Sequence, residues 1–240
     1  EHYPILSGLR FLHYLPTHYM AGVLNTILLP AICGGSIVLD EVYSGNQMVY
    51  LPNKIKSQKI QMIWSTPNLI NAICALYKNK SIDTDLKLIL HATGPLNMKK
   101  RDLISNIFDV TVLNTYGLTE ILFVSGEQTM KQSITIGETI STSRFIFTSQ
   151  TLRIFSTTFP SAVLLFNPET MILKQEKLNF NFFETNDLYF NTNNGVALNG
   201  RIDDIVKFNG VSVSLDYIEN IANSFNSIFA SCARVSNLDT

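Results

Sequence analysis

Short apolar runs punctuate the first half of the chain at Leu9 to Leu15, Ser36 to Leu39, Ile60 to Trp64, Leu86 to Leu90 and Val110 to Leu113. They recur roughly every 25 residues and have the length of strands. The segments between them carry the helical period instead. After Pro67, Leu69, Ile70, Ile73, Cys74 and Tyr77 fall on one helical face. After Asn97, an expected N-cap, Leu103, Ile104, Ile107 and Phe108 do the same. Strands apolar on both faces, alternating with amphipathic helices, predict an α/β fold: a mostly parallel sheet covered by helices.

From Ile134 to about Gly200 the helical period disappears. β-Branched and aromatic runs (ITIGETI, RFIFTS, TLRIFS, AVLLFN, DLYFNT) alternate with turn residues such as Asn167-Pro168 and Asn193-Asn194-Gly195. This predicts an appended β-rich subdomain. The charged stretch Gly200 to Gly210 has little core character, and Leu215, Ile218, Ile221, Ala222 and Phe225 then suit a further helix. The expected division is therefore 1–133 (α/β part of a larger N-terminal domain), 134–200 (β-rich subdomain), 201–204 (linker) and 205–240 (the start of a C-terminal α+β unit).

Composition narrows the class. The 240 residues are 46% hydrophobic and 15% charged, with a formal net charge of −1. That balance carries no electrostatic footprint for nucleic acid or an anionic membrane. Cys33, Cys74 and Cys232 form no CxxC pair and no even framework, so they read as small core residues. The uncharged stretch Ala21 to Leu39 approaches spanning length, but Asn25, Pro30 and Gly34-Gly35 interrupt it. It reads as a buried helix, a glycine turn and a buried strand. No signal peptide pattern opens the chain, and residue 1 is Glu, which suggests a beginning inside a longer product. A globular cytoplasmic protein is the expectation.

In parallel α/β sheets ligands gather beyond the carboxyl ends of the strands. Four polar or Gly/Pro-bearing loops are expected there: PTHYMAG (Pro16 to Gly22), STPN (Ser65 to Asn68), HATGPLN (His91 to Asn97) and YGLTE (Tyr116 to Glu120). Taken singly, each has an ordinary reading as an edge aromatic, a solvated acid or a surface charge.

Taken in order they carry a resemblance. LPTHYMAG, GPL, YGLTE, TNDL and GRIDDIVKFNG together resemble the adenylate-forming (AMP-binding) superfamily, in its acyl-CoA synthetase branch. YGLTE matches the family's Y-G-x-T-E in full. Thr185 to Leu188 resembles T-G-D-L with Asn186 in place of Gly. Gly200 to Gly210 retains every fixed position of G-R-x-D-x-x-x-K-x-x-G. The apolar segment after LPTHYMAG is most similar to the 2-succinylbenzoate:CoA ligases of menaquinone biosynthesis.

The resemblance implies roles. Tyr116 would lie against adenine, with Gly94, Pro95 and Gly117 at the nucleotide. Thr119 would bond the α-phosphate, Glu120 would help hold Mg²⁺, Asp187 would accept from ribose hydroxyls and Arg201 would pair with ribose or phosphate oxygens. Thr119, Glu120 and Arg201 are the expected catalytic set, His18 and Thr66 the expected substrate-binding residues. Asp203 would be a hinge, and Lys207 and Gly210 the start of a lid that rotates between adenylation and thioester formation. ATP, Mg²⁺, coenzyme A and a small carboxylic acid are the implied cofactors and partners, with a homodimer left open.

The departures weigh as well. The family's Gly-rich phosphate loop should lie upstream of LPTHYMAG, where only residues 1–14 stand without that pattern, and the lid's late lysine should follow Thr240. The adenine segment G-G-A-P-L is altered to Ala92-Thr93-Gly94-Pro95-Leu96. Two readings follow: an incomplete form of an ATP-dependent acid:CoA ligase, with little activity expected of these residues alone, or a truncated, non-catalytic adenylate-binding or interaction module.

Overall fold

The computed structural model describes residues 6–18, 20–40, 47–94, 96–177, 182–208 and 211–224. Five strands, β1 (Arg10–His13), β2 (Ser36–Leu39), β3 (Met62–Ser65), β4 (Leu88–His91) and β5 (Thr111–Leu118), are followed by β6 (Leu122–Gly126) and the short β7 (Glu138–Thr139). Together they form one seven-stranded sheet in the order β2-β1-β3-β4-β5-β6-β7. The pairings among β1 to β5 are parallel, and those of β6 with β5 and β7 are antiparallel. β3 and β4 are buried along their whole length, as expected of central strands covered on both faces.

The helices follow the predicted periodicity. α1 (Leu29–Ile32) is short, α2 is Leu51–Ser57, α3 is Pro67–Tyr77 and α4 is Met98–Phe108. α3 starts where Thr66 accepts a hydrogen bond from the Leu69 backbone N–H and Pro67 occupies the first turn. α4 is capped by Asn97, whose Oδ1 accepts from Lys99 N at 2.8 Å, and ends at Asp109 in the left-handed conformation. Their inner faces bury Ile70, Ile73 and Cys74, and Ile104, Ile107 and Phe108. These join the strands in one core with Phe11, Leu12, Met62, Ile89 and Val112. Burial pushes the Cys74 thiol up to about 11, with Lys100 acting in the opposite direction.

Two expectations need correction. Ala21 to Leu39 is not uniformly buried: a π-helical segment, Ala21–Leu28, runs into α1, and Ile32 (81% exposed) and Leu39 (70%) face outward. Among the described residues β2 is the edge of the sheet and has β1 as its one strand partner. The strand predicted to end at Leu113 continues to Leu118. Its first half pairs with β4, and from Thr115 it takes β6 as an antiparallel partner. YGLTE is therefore not a loop after a strand but the strand's own end plus the turn into β6.

The β-rich part forms a four-stranded antiparallel sheet, β13-β12-β9-β8. Its strands are β8 (Ser143–Phe147), β9 (Thr151–Ser156), β12 (Phe183–Thr192) and β13 (Gly195–Arg201). A separate ribbon of β10 (Ala162–Asn167) and β11 (Ile172–Lys177) exposes Leu164, Phe166 and Ile172. A second core of Tyr116, Ile121, Val124, Ile136, Leu152 and Ile154 seats the β-rich sheet against β5 and β6. After the 3-10 turn Ile202–Asp204 come the paired strands β14 (Ile205–Phe208) and β15 (Val211–Ser214), then α5 (Leu215–Ser224). Ile218 and Ile221 of α5 are exposed, and the expected Phe225 lies outside the described residues, as does Cys232.

Candidate active site

Two cavities meet around the end of β5. The smaller, about 370 Å³, is bounded by Met20, Ala21, Asn25, Trp64, Ala92 and Phe123, with Glu120 and Arg201 as its charged lining residues. The larger, about 700 Å³, reaches from Gly94 and Leu96 past Ser133 to Ile136 and on to Asp187, Asn199 and Asp204. Thr93, Thr115 to Leu118 and Arg201 line both. The carboxyl ends of β3, β4 and β5 and the last residue of β13 thus converge, as strand-end chemistry in an α/β sheet predicts.

The polar centre is a connected set. Tyr116, 8% exposed, donates its hydroxyl to Asp187 Oδ2. Asp187 is 6% exposed, and its Oδ1 lies 3.6 Å from Arg201 Nη1. Arg201 Nη2 donates to Asp203 Oδ2 at 3.0 Å, and Asn186 Nδ2 lies 3.3 Å from the same oxygen. Burial pushes the Asp187 carboxyl up, opposed by the Tyr116 hydrogen bond and by the Arg201 charge. Burial also raises the Tyr116 phenol, reinforced by the Asp187 carboxylate. The Asp203 hydrogen bond is the largest cause raising Arg201 further. Asp187 is oriented from behind: its N–H donates to Thr185 Oγ1 at 3.0 Å, and that hydroxyl donates to Leu152 O at 2.6 Å. Asn186 has φ 59°, a left-handed conformation that Gly and Asn both adopt readily. This gives a physical reason for Asn in a motif position that otherwise carries Gly.

Gly117 has a structural duty of its own. A Cβ there would stand 2.2 Å from Leu122 O, so only glycine permits the bulged approach of β5 and β6 at this point. Thr119 and Glu120 occupy the exposed turn that follows and line the smaller cavity. Among the described residues no group of three or more His, Cys, Asp or Glu side chains is arranged to hold a metal.

Other predicted positions fall elsewhere. His18 is exposed and lines neither cavity, and Thr66 caps α3 outside both linings. Gly94 lines the larger cavity. Asp203 lies in the 3-10 turn after β13. Lys207 belongs to β14, its backbone opposite Ser212. Pro95 and Gly210 lie outside the described residues.

Sequence reasoning missed the frame behind the site. Arg101 and Glu127, both with fully buried side chains, pair at 2.9 Å. Glu127 also accepts from the backbone N–H groups of Asn114 and Thr135 at 2.9 Å each, and Asn114 Nδ2 donates to Thr135 O at 2.8 Å. Arg101 further donates to Lys131 O. The network ties α4 and β5 to the segment that walls the larger cavity. A signal was present: Arg101 stands three residues before Ile104 and seven before Phe108, on the apolar face of its helix. Asn25 and Trp64 were also missed as lining residues. Only the interruption of an apolar segment by Asn25, and the place of Trp64 near a strand end, pointed to them.

Comparisons with known proteins bear on the family and the fold. The family described as "AMP-binding enzyme" matches residues 2–151. A search of curated proteins finds no match. Among solved structures, anthranilate CoA ligase AuaEII in complex with anthranoyl-AMP is similar over 93% of this chain and 45% of its own, at 16% identity and TM-score 0.77. A variant of E. coli MenE with bound OSB-AMS is similar over 91% of this chain and 45% of its own, at 14% identity and TM-score 0.69. Bacillus subtilis O-succinylbenzoate coenzyme A synthetase (MenE) in complex with AMP covers 90% and 46%, at 14% identity and TM-score 0.66. The chain spans less than half the length of these structures. At such identities the likeness is one of fold.

Proposed function

Because this chain belongs to the AMP-binding enzyme family, we propose that it is part of an ATP-dependent acid:CoA ligase. Such an enzyme joins a carboxylic acid to AMP and then passes the acyl group to coenzyme A. The observation that carries the reading is the meeting of two cavities of different character at Thr93, Tyr116 to Leu118 and Arg201. The larger, with Asp187 and Arg201, suits a nucleotide: the buried carboxylate accepts from ribose hydroxyls, and the guanidinium fork faces anionic oxygens. The smaller, walled by Met20, Ala21, Trp64, Ala92 and Phe123 with the buried Asn25 and Thr115 among them, suits the body of an acid. Their junction is where a carboxylate would meet an α-phosphate.

Two anions must approach there, so the negative charge has to be offset. Arg201 supplies a fixed positive charge, and Thr119 a hydroxyl in the turn that follows β5. Glu120 is a single exposed carboxylate at the cavity mouth, which fits Mg²⁺, an ion commonly held by one or two carboxylates together with substrate phosphates and water. When bound, Mg²⁺ would supply charge neutralisation at the phosphates. Asp203, in a turn without buried residues, serves as the hinge between the parts ending near residue 200 and the unit from 205 onward, with Lys207 and Gly210 at the start of the lid. A 2-succinylbenzoate substrate and a place in menaquinone biosynthesis accord with the LPTHYMAG segment and with MenE structures among the similar folds, and a cytoplasmic location goes with that reading.

The test is carboxylate-dependent exchange of pyrophosphate into ATP by the complete gene product, over a panel that includes 2-succinylbenzoate. Exchange that is lost in Glu120→Gln supports the ligase. AMP binding with no exchange for any acid refutes it in favour of the non-catalytic adenylate-binding module. Exchange with other acids but not 2-succinylbenzoate removes that substrate alone.

A further inference from the structure

Six non-glycine residues among those described have positive φ: Lys59, Thr93, Asp109, Leu122, Met171 and Asn186. Asp109 closes a helix, and Asn tolerates the left-handed region. Thr93 is the β-branched residue of the set, at φ 75°, where its branched Cβ crowds the backbone. It follows β4 in the segment where the family's G-G-A-P-L pattern would place glycine, so this backbone shape could have been built without strain. Backbone strain held by a non-glycine residue is a pointer to function when it falls at a site. Thr93 falls at the junction, exposed and lining both cavities.

We propose that Thr93 orients the acid's carboxyl group at the meeting point of the two cavities, its hydroxyl donating to the carbonyl oxygen of the acyl group. This rests on the ligase reading and deepens it. The hydroxyl is the only hydrogen-bonding group a threonine adds over glycine here. Thr93 follows β4 and Arg201 ends β13, and both line both cavities, so a carboxylate at the junction would be held from the β4 side and the β13 side at once. One substitution at this position then has two consequences of opposite sign. Thr93→Gly relieves strain of about 1–3 kcal/mol against the ~0.5–1 kcal/mol that glycine's extra freedom in the unfolded chain costs, and should raise the unfolding midpoint. The same change should weaken recognition of the acyl-phosphate junction while leaving the nucleotide alone.

The experiment is calorimetric titration of the complete gene product with AMP and with sulfamoyladenosine mimics of benzoyl-AMP and 2-succinylbenzoyl-AMP, alongside thermal unfolding. Expected are mimic affinities lowered ~10-fold in Thr93→Gly and Thr93→Ala, within the range for a lost hydrogen bond. AMP affinity should be unchanged, Thr93→Ser should stay near wild type, and the midpoint should rise only in Thr93→Gly. The inference is overturned if Thr93→Gly binds the mimics as wild type does, if AMP and mimics weaken equally, if the wild type binds no mimic more tightly than AMP, or if the midpoint does not rise. A wild type that binds AMP but fails one of these tests leaves the ligase reading standing. A wild type that binds neither AMP nor mimic overturns the nucleotide reading and this inference with it.

Discussion

His91 at the end of β4 is fully buried, and neither ring nitrogen has a hydrogen-bond partner among the described residues. Burial, aided by the buried charge of Arg101, holds its pKa down at about 3 against an ordinary 6.5. The folded state therefore keeps the ring neutral through a range in which the unfolded chain binds a proton. Stability from this group is complete above pH 6.5, falls as the pH drops from 6.5 toward 3, and changes no further below that. At pH 5.0 the loss spans 1.5 units at ~1.36 kcal/mol per unit, or about 2 kcal/mol. His91→Leu removes the titration and puts an apolar side chain of similar bulk in its place. Urea unfolding at pH 7.5 and 5.0 measures both proteins, and carboxylates or His13 titrating in each cancel in the difference. Wild type should lose about 2 kcal/mol more than the variant between the two pH values. At pH 7.5 the variant should be as stable or more so, since it no longer buries two unpaired nitrogens. Parallel pH dependences would refute the assignment of His91 as a buried neutral ring.

Three further outcomes follow from the packing. Glu127→Leu strands the buried Arg101 guanidinium and should destabilise by ~3–5 kcal/mol, whereas Arg101→Met with Glu127→Leu should recover most of that loss; equal losses in urea melts would argue against the pair. Gly117→Ala forces a methyl against Leu122 O and should cost ~1–3 kcal/mol through displacement of the β5–β6 turn, visible as a lower thermal midpoint; an unchanged midpoint would show that the turn yields freely. Tyr116→Phe removes the hydroxyl that holds Asp187 and should weaken AMP binding by ~1–2 kcal/mol in calorimetry. Unchanged affinity would place the ribose away from Asp187.

Much of the fold was legible because burial on both faces leaves a strong local mark. Continuous apolar runs in β3 and β4, and helical spacing in α3 and α4, reappear as buried strands and inner helix faces. The cap at Asn97 was also written locally, in a polar residue placed before a helical run, whereas Thr66, expected at the substrate, caps α3 instead. Legibility failed where a strand changes partners. Nothing between Asn114 and Thr115 marks the switch from parallel to antiparallel pairing, because either partner asks the same extended backbone of β5. It failed again at β2, whose apolar sequence suits a covered strand although its position at the sheet edge leaves Leu39 outside.

The sequence alone determined the α/β class, the order of its motifs and the family they belong to, since these depend on residue type and spacing. Tertiary structure decided which of those residues act together. Tyr116 and Asp187 are 71 positions apart, and no periodicity relates them; only the packing of the β-rich sheet on β5 brings the phenol to the carboxylate. The same packing sets Arg201 between Asp187 and Asp203, leaves His18 and Thr66 outside both cavities, and puts a strained threonine where the two meet. A local signal can specify a strand or a helix because one backbone conformation satisfies its own residues, but a site is made of contacts across the sheet, and those exist only once it has formed.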